Sequence, residues 1–236
     1  RCDLIGIAMA DSTPLVQVYD YSMFGEFEVR PLSRIRQVIA RRLSASWATV
    51  PHVAQFDEVD ITALEEVRRG LAKEGVNQPT LLAFAMLACA RALRMFPEFN
   101  ASLDETGQRL VLKKYCHIAF AAQTPVGLMA PVVRDVDKKD LQQIADAIAE
   151  LAGKAREGRL ALSDAEGACF TVTNLGTLGG TGFTPIINAP EIGILGLARA
   201  GTKVVESDGR FVSRPILPLT LVYDHRVIDG AVGARF

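Results

Sequence analysis

Three histidines, His52, His117 and His225, are the side chains whose ordinary titration falls near neutral pH, so acid–base chemistry has few places to sit. His52 follows Pro51, and His117 lies inside an apolar run between Cys116 and Ile118; both read as structural histidines. His225 has a different setting, in Asp224-His225-Arg226-Val227-Ile228-Asp229-Gly230, directly after the apolar residues 217–223. A loop at the end of a strand, held by a rigid scaffold, is well placed to meet a substrate. On residue type and position alone, a catalytic and a structural role for His225 remain equally open.

Rival chemistries find less support. His225 and Asp229 could both ligate a metal, but no H-x-x-x-H, H-x-H or C-x-x-C supplies further ligands, so no metal is expected. The G-x-S-x-G elbow of serine hydrolases is absent. Gly176-Thr177-Leu178-Gly179-Gly180-Thr181-Gly182 lacks the G-K-[ST] ending of a phosphate loop and does not fit G-x-G-x-x-G. It reads as a turn that lets another group approach the backbone closely. Cys89 and Cys169 read as small buried hydrophobes, and the four cysteines form no disulfide framework.

The elements that must position these residues follow from periodicity. Ser33 is an N-cap candidate for a helix carrying Ile35, Val38, Ile39, Leu43 and Trp47 at three- and four-residue steps, ended by Pro51. Residues 52–60 read as extended. Thr62-Ala63-Leu64-Glu65 has capping-box spacing and opens a helix to about Lys73. Pro79-Thr80 starts a helix, apolar on nearly every side and so expected to be buried, which Pro97 stops. Residues 109–113, 116–123 and 127–134 read as strands. An amphipathic helix with Leu141, Ile144, Ile148 and Leu151 on one face follows, then a strand over residues 169–173. Residues 192–205 and 211–213 flank the hairpin signal Ser207-Asp208-Gly209-Arg210. A last strand, residues 217–223, delivers Asp224 and His225. This order gives an α/β or α+β class with a mixed sheet.

Bulk properties narrow the partners. A net charge of −1 excludes a global field for nucleic acid or anionic membrane. Arg30, Arg34, Arg36, Arg41 and Arg42 crowd one stretch that reads first as a solvated helix face, with a phosphate or subunit contact as the alternative. Arg91 interrupts the apolar residues 81–93, which fall short of the roughly 20 residues of a membrane span. The chain is long enough for one large domain, residues 23–236, preceded by an extension over residues 1–22. Without a secretory signal, bacterial cytoplasm or a mitochondrial matrix is the expected compartment.

The run from Asp224 to Gly230 resembles the H-x-x-x-D-G signature of the dihydrolipoyl acyltransferases of 2-oxo acid dehydrogenase complexes, shared more loosely with chloramphenicol acetyltransferase. The similarity extends in order through Phe24-Gly25, Pro31-Leu32-Ser33-Arg34-Ile35, Pro51-His52-Val53, Gly127-Leu128-Met129-Ala130-Pro131-Val132-Val133-Arg134-Asp135, Phe170-Thr171-Val172-Thr173-Asn174-Leu175-Gly176 and Asn188-Ala189-Pro190-Glu191. The region from Thr173 to Pro190 is most similar to acetyl-transferring members of pyruvate-type complexes.

This resemblance implies an α/β fold of the chloramphenicol acetyltransferase kind, a mixed sheet with flanking helices, built as a homotrimer and assembled into a cubic or dodecahedral shell. It implies acyl, chiefly acetyl, transfer between dihydrolipoamide and coenzyme A. Branched-chain, succinyl or acetoin-pathway transfer, or a silent scaffold subunit, are the alternatives. His225 takes the place of the general base and Thr173 that of the oxyanion donor, usually serine, facing His225 of a neighbouring copy. Asp229 is implied to hold the loop, often through a salt link, while a backbone carbonyl fixes the histidine's second nitrogen. Gly179 and Gly180 are candidates for approaching coenzyme A. The lipoyl group would arrive on a separate domain, with dehydrogenase and dihydrolipoamide dehydrogenase subunits as further partners. Members of the resembled family usually carry a final helix beyond the position of Phe236, and often have aspartate where Gln123 stands.

Overall fold

The structure, a computed structural model, describes residues 19–73, 79–125, 127–176 and 178–236. Most of the expected extension, residues 1–18, lies outside the described residues. The chain divides into two units, residues 1–32 and 33–236. Among the described residues of the first, a 3-10 turn (Tyr21–Met23) is capped by Asp20, which accepts from the Ser22 amide.

In the second unit the elements are α1 (Arg34–Thr49), β1 (His52–Asp60), α2 (Thr62–Lys73), α3 (Leu81–Met95), β2 (Ala101–Leu103), β3 (Leu110–Leu112), β4 (Ile118–Phe120), β5 (Ala122–Thr124), β6 (Gly127–Met129), β7 (Val132–Val133), α4 (Leu141–Arg156), β8 (Phe170–Asn174), β9 (Gly193–Leu197), β10 (Gly201–Ser207), β11 (Arg210–Asp224) and α5 (Gly230–Arg235). The main sheet has the order β1-β11-β9-β8-β4-β7, with β10 beside the first half of β11. β8 runs parallel to β4 and β9, and the other pairs are antiparallel, so the sheet is mixed as expected. Helices α3 and α4 pack on each other and over β8 and β7.

Alternation along the strands separates two apolar clusters. Leu221 and Tyr223 join the main core with Met86, Phe99, Ile144 and Phe170. The residue between them, Val222, turns to the other face and packs with Ile194, Val50 and Ile187. Phe236 closes the main core at its end, its ring 4.1 Å from that of Phe99.

Several local expectations hold in detail. Ser33 caps α1 by accepting from the Arg36 amide, and β1 covers residues 52–60. Asp140 and Gln143 form a capping box on α4 that the periodicity alone did not single out. Asp208 and Gly209, both at positive φ, make the hairpin turn between β10 and β11.

Others need correction. The capping box at Thr62 does not form, because the Asp60 carboxylate takes both the Thr62 amide and its hydroxyl, while Glu65 pairs with Arg68. Residues 116–123 and 127–134 are not two whole strands. Each breaks in two, so that β4 pairs with β7 in the main sheet and β5 with β6 in a separate hairpin. Residues 211–213 and 217–223 are one 15-residue strand, β11, running through Pro215 and Pro218. The short strand β2 was not expected.

Candidate active site

The three histidines are sorted by what their rings touch. The His52 Nδ1 lies 2.7 Å from the Val50 carbonyl, and its Nε2 accepts from the Ile187 amide at 3.1 Å. A carbonyl needs a donor and an amide needs an acceptor, so the ring is neutral with its proton on Nδ1. His117 Nδ1 accepts from the Asp135 amide at 3.0 Å. His225 is exposed, and its ring makes no hydrogen bond among the described residues. The backbone carbonyl implied to fix its second nitrogen is therefore not bonded to it here.

β11 delivers His225 in a tight turn. Asp224, its last residue and 1 % exposed, accepts at its carbonyl from Val227 and Ile228, and its amide donates to Ile192. The Asp224 carboxylate takes the Arg226 amide at 3.0 Å and the Arg226 Nη2 at 2.6 Å. The His225 amide donates to the Pro51 carbonyl at 3.1 Å.

Asp229 is exposed and acts as the N-cap of α5, accepting from the Val232 amide at 2.8 Å. It makes no bond to His225 among the described residues, so a triad-like pairing is not formed. Among the described residues it makes no salt link either; the ion pair of this turn joins Asp224 and Arg226.

Thr173 is buried in the last turn of the pleat of β8. It pairs with Gly196, which pairs with Thr220. His225 lies five residues beyond Thr220 along β11, about 17 Å at the rise of a strand, and two strands aside. The two side chains thus stand at opposite ends of the same sheet, roughly 19 Å apart. Gly179 and Gly180, with φ of +104° and +88°, lie in the loop after β8, at the Thr173 end; Thr177 in that loop lies outside the described residues. Two surface grooves are formed, of about 370 Å³ and about 420 Å³. The first is lined by Phe56, Asp57, Glu58, Thr181, Pro218 and Leu219, also toward the Thr173 end, and neither groove includes His225 or Thr173.

Other reactive groups are suppressed. Cys89 and Cys116 are buried, which pushes each thiol up to about 12, and burial also raises Cys169. Protonated thiols of this kind are poor nucleophiles. Among the described residues, no three His, Cys, Asp or Glu side chains converge as a metal site, and no helix is long and apolar enough to cross a membrane.

Glu191, in the motif Asn188-Ala189-Pro190-Glu191, is the most perturbed carboxyl among the described residues. Burial pushes it up to about 7, against the downward pull of the Thr171 hydroxyl, which donates to Glu191 Oε2 at 2.6 Å, and of Lys113. Nothing in the local pattern of Asn188-Ala189-Pro190-Glu191 signals that burial, which is created by strands distant in sequence.

The chain is similar in fold to chloramphenicol acetyltransferase, with a TM-score of 0.52 at 16 % identity, over 82 % of this chain and 89 % of that one. That likeness defines the fold. Residues 24–236 match the family of 2-oxoacid dehydrogenases acyltransferase (catalytic domain), and the chain belongs to that family. Among relatives, the dihydrolipoyllysine-residue acetyltransferase component of the pyruvate dehydrogenase complex of Pseudomonas aeruginosa is 48 % identical over 226 residues, covering 94 % of this chain and 41 % of that protein. The chain thus spans well under half the length of this relative. The cubic core of a pyruvate dehydrogenase multienzyme complex has a TM-score of 0.90 at 48 % identity, covering 94 % and 93 % of the two chains. The dihydrolipoamide acetyltransferase of Azotobacter vinelandii also gives 0.90, at 47 % identity and the same coverage. In that enzyme a serine, a histidine and an asparagine have been examined for roles in the catalytic mechanism.

Proposed function

We propose that the chain transfers an acetyl group between dihydrolipoamide and coenzyme A, with His225 as general base. The observation that carries this is that His225 alone among the three histidines keeps both ring nitrogens unengaged, on an exposed, tightly held turn. Neutral imidazole, with an ordinary pKa near 6.5, takes the proton of a thiol whose ordinary pKa is near 8.5 as that sulfur attacks the thioester carbonyl. The tetrahedral oxyanion accepts from the Thr173 hydroxyl. Collapse breaks the original C–S bond, and the departing sulfur recovers the proton from the imidazolium. No acyl-enzyme is needed when both thiols share one channel, and proximity supplies much of the rate. The burial of Cys89, Cys116 and Cys169 fits this direct transfer.

The intervals support the assignment. The serine, histidine and asparagine examined in the Azotobacter enzyme follow one another at 52 and 4 residues, as do Thr173, His225 and Asp229 here. Threonine keeps the hydroxyl, with its rotation restricted by the extra methyl. Because roughly 19 Å separates Thr173 from His225 along one sheet, a working site takes His225 from one copy and Thr173 from another. A homotrimer supplies that arrangement, and trimers of this kind would build a cubic shell. Gly179 and Gly180, at the Thr173 end, are where coenzyme A would approach the backbone. Asp229 serves as a helix cap that holds the His225 loop. The acetyl group would arrive on a lipoyl domain, in a cytoplasmic complex with dehydrogenase and dihydrolipoamide dehydrogenase subunits.

The test is acetyl transfer from acetyl-coenzyme A to dihydrolipoamide by the assembled protein and by His225→Ala. Loss of at least about 10³-fold in kcat supports the base role. Undiminished turnover in His225→Ala refutes it, and a clear preference for succinyl- or isobutyryl-coenzyme A refutes the acetyl assignment.

A further inference from the structure

The His225 ring makes no hydrogen bond among the described residues and touches only the Tyr223 ring, with centroids 6.2 Å apart, so its aim comes chiefly from its backbone. Asp224 is the last residue of β11, and its carboxylate reaches two residues ahead, taking the Arg226 amide at 3.0 Å, Nε at 3.0 and 3.1 Å, and Nη2 at 2.6 Å. This bond pattern can form only if the chain doubles back over the residue between them, which is His225. The Asp224 carbonyl closes the same turn by accepting from Val227 and Ile228, each at 3.0 Å.

Outside the turn, the His225 amide donates to the Pro51 carbonyl. That carbonyl is itself set by its neighbours. The Val50 amide caps α1 by donating to Ser46, and the Val50 carbonyl receives the His52 Nδ1–H at 2.7 Å. The other ring nitrogen of His52 accepts from Ile187, which is fully buried and whose carbonyl takes the Ser46 hydroxyl at 2.6 Å. The Trp47 ring lies against His52 with centroids 5.2 Å apart. His52 therefore bridges the end of α1 to the loop before β9, with Pro51 held between.

We propose that His52 and the Asp224–Arg226 pair are positioning residues: a two-sided clamp that fixes the backbone of His225 and so aims its ring at the substrate thiol. The clamp rests on the reading of His225 as the base. Each side acts through geometry alone. Asp224→Asn turns one carboxylate oxygen into an NH₂ group, a donor facing a guanidinium donor, and releases one tine of the Arg226 fork. His52→Ala removes both bonds of the bridge, whereas His52→Gln can still offer an oxygen to the Ile187 amide. A misplacement of about 1 Å at a reacting group can cost about 10²-fold in rate.

The experiment measures kcat and KM for acetyl-coenzyme A and dihydrolipoamide in the assembled protein, for wild type, Asp224→Asn, His52→Ala and His52→Gln. Crystal structures of the first two variants accompany the kinetics. The clamp predicts a kcat lowered about 10- to 100-fold in Asp224→Asn and His52→Ala, with KM within about threefold and assembly size unchanged. It also predicts partial recovery in His52→Gln and a shifted His225 backbone in both crystal structures. Undiminished kcat, a loss carried by KM, or a loss that follows disassembly overturns it. So does an unmoved His225 backbone, which is read independently of catalysis: if His225→Ala kept full activity, the base assignment would fall while the structures still judged the clamp.

Discussion

Replacing Glu191 by glutamine should stabilise the protein at pH 8 and do nothing of the kind at pH 4. The Glu191 carboxyl is 6 % exposed, and burial raises it from the ordinary 4.5 to about 7. Its one strong donor is the Thr171 hydroxyl, which in turn accepts from the Asn188 amide group at 3.1 Å. In the unfolded chain the proton leaves near pH 4.5; in the folded chain it is held to about 7. The folded state therefore binds the extra proton in that window, and stability falls as pH rises through it, reaching a plateau above 7. Each unit is worth about 1.4 kcal/mol, so the full shift costs about 3 kcal/mol at pH 8. Glutamine is neutral throughout and keeps an oxygen for Thr171. Urea unfolding of wild type and Glu191→Gln at pH 4, 6 and 8 should show the variant's advantage growing by about 3 kcal/mol between the extremes. In thermal scans that gain amounts to a rise of about 10 °C in Tm. An advantage independent of pH, or one that reverses at pH 8, would show that ionised Glu191 is stabilised by Lys113 and that burial does not dominate.

Other positions make separate demands. Asp229→Asn should preserve both the α5 cap and activity within about fivefold, while Asp229→Ala should cost about 1 kcal/mol in denaturant unfolding. A loss in Asp229→Asn as deep as that in His225→Ala would restore a triad. Gly233→Ala places a Cβ 2.7 Å from Tyr223 Cε1 and should destabilise by about 1–3 kcal/mol, read as a lowered midpoint; an unchanged midpoint would mean the Tyr223 ring yields freely.

The legible parts of the fold were those with strong local signals. Ser33, the run before Pro51 and the stripe of Leu141, Ile144, Ile148 and Leu151 each reported a helix whose end or face is decided within a few residues. Strand breaks were not legible, because what splits residues 116–123 between β4 and β5 is pairing with β7 and β6, set by tertiary contacts. The capping box at Thr62 failed because Asp60, two residues upstream, competes for the same donors. For the site, the sequence motif marked His225, Thr173 and Asp229, but spacing along the chain is silent on distance across the sheet. The opposite directions of β8 and β11 put the first two at opposite ends. The position of His52 after Pro51 points to a structural histidine, but its bridge to Ile187, 135 residues away, is not visible in the pair Pro51-His52.

A mixed assembly tests the central claim most directly. His225→Ala and Thr173→Ala proteins would be dissociated, mixed in equal amounts, reassembled and assayed for acetyl transfer to dihydrolipoamide. If each site takes His225 from one copy and Thr173 from its neighbour, random reassembly restores intact sites to about a quarter of the wild-type number, and activity rises to match. Activity no greater than the mean of the two parents would contradict a site shared between copies, and with it the proposed pairing of His225 and Thr173.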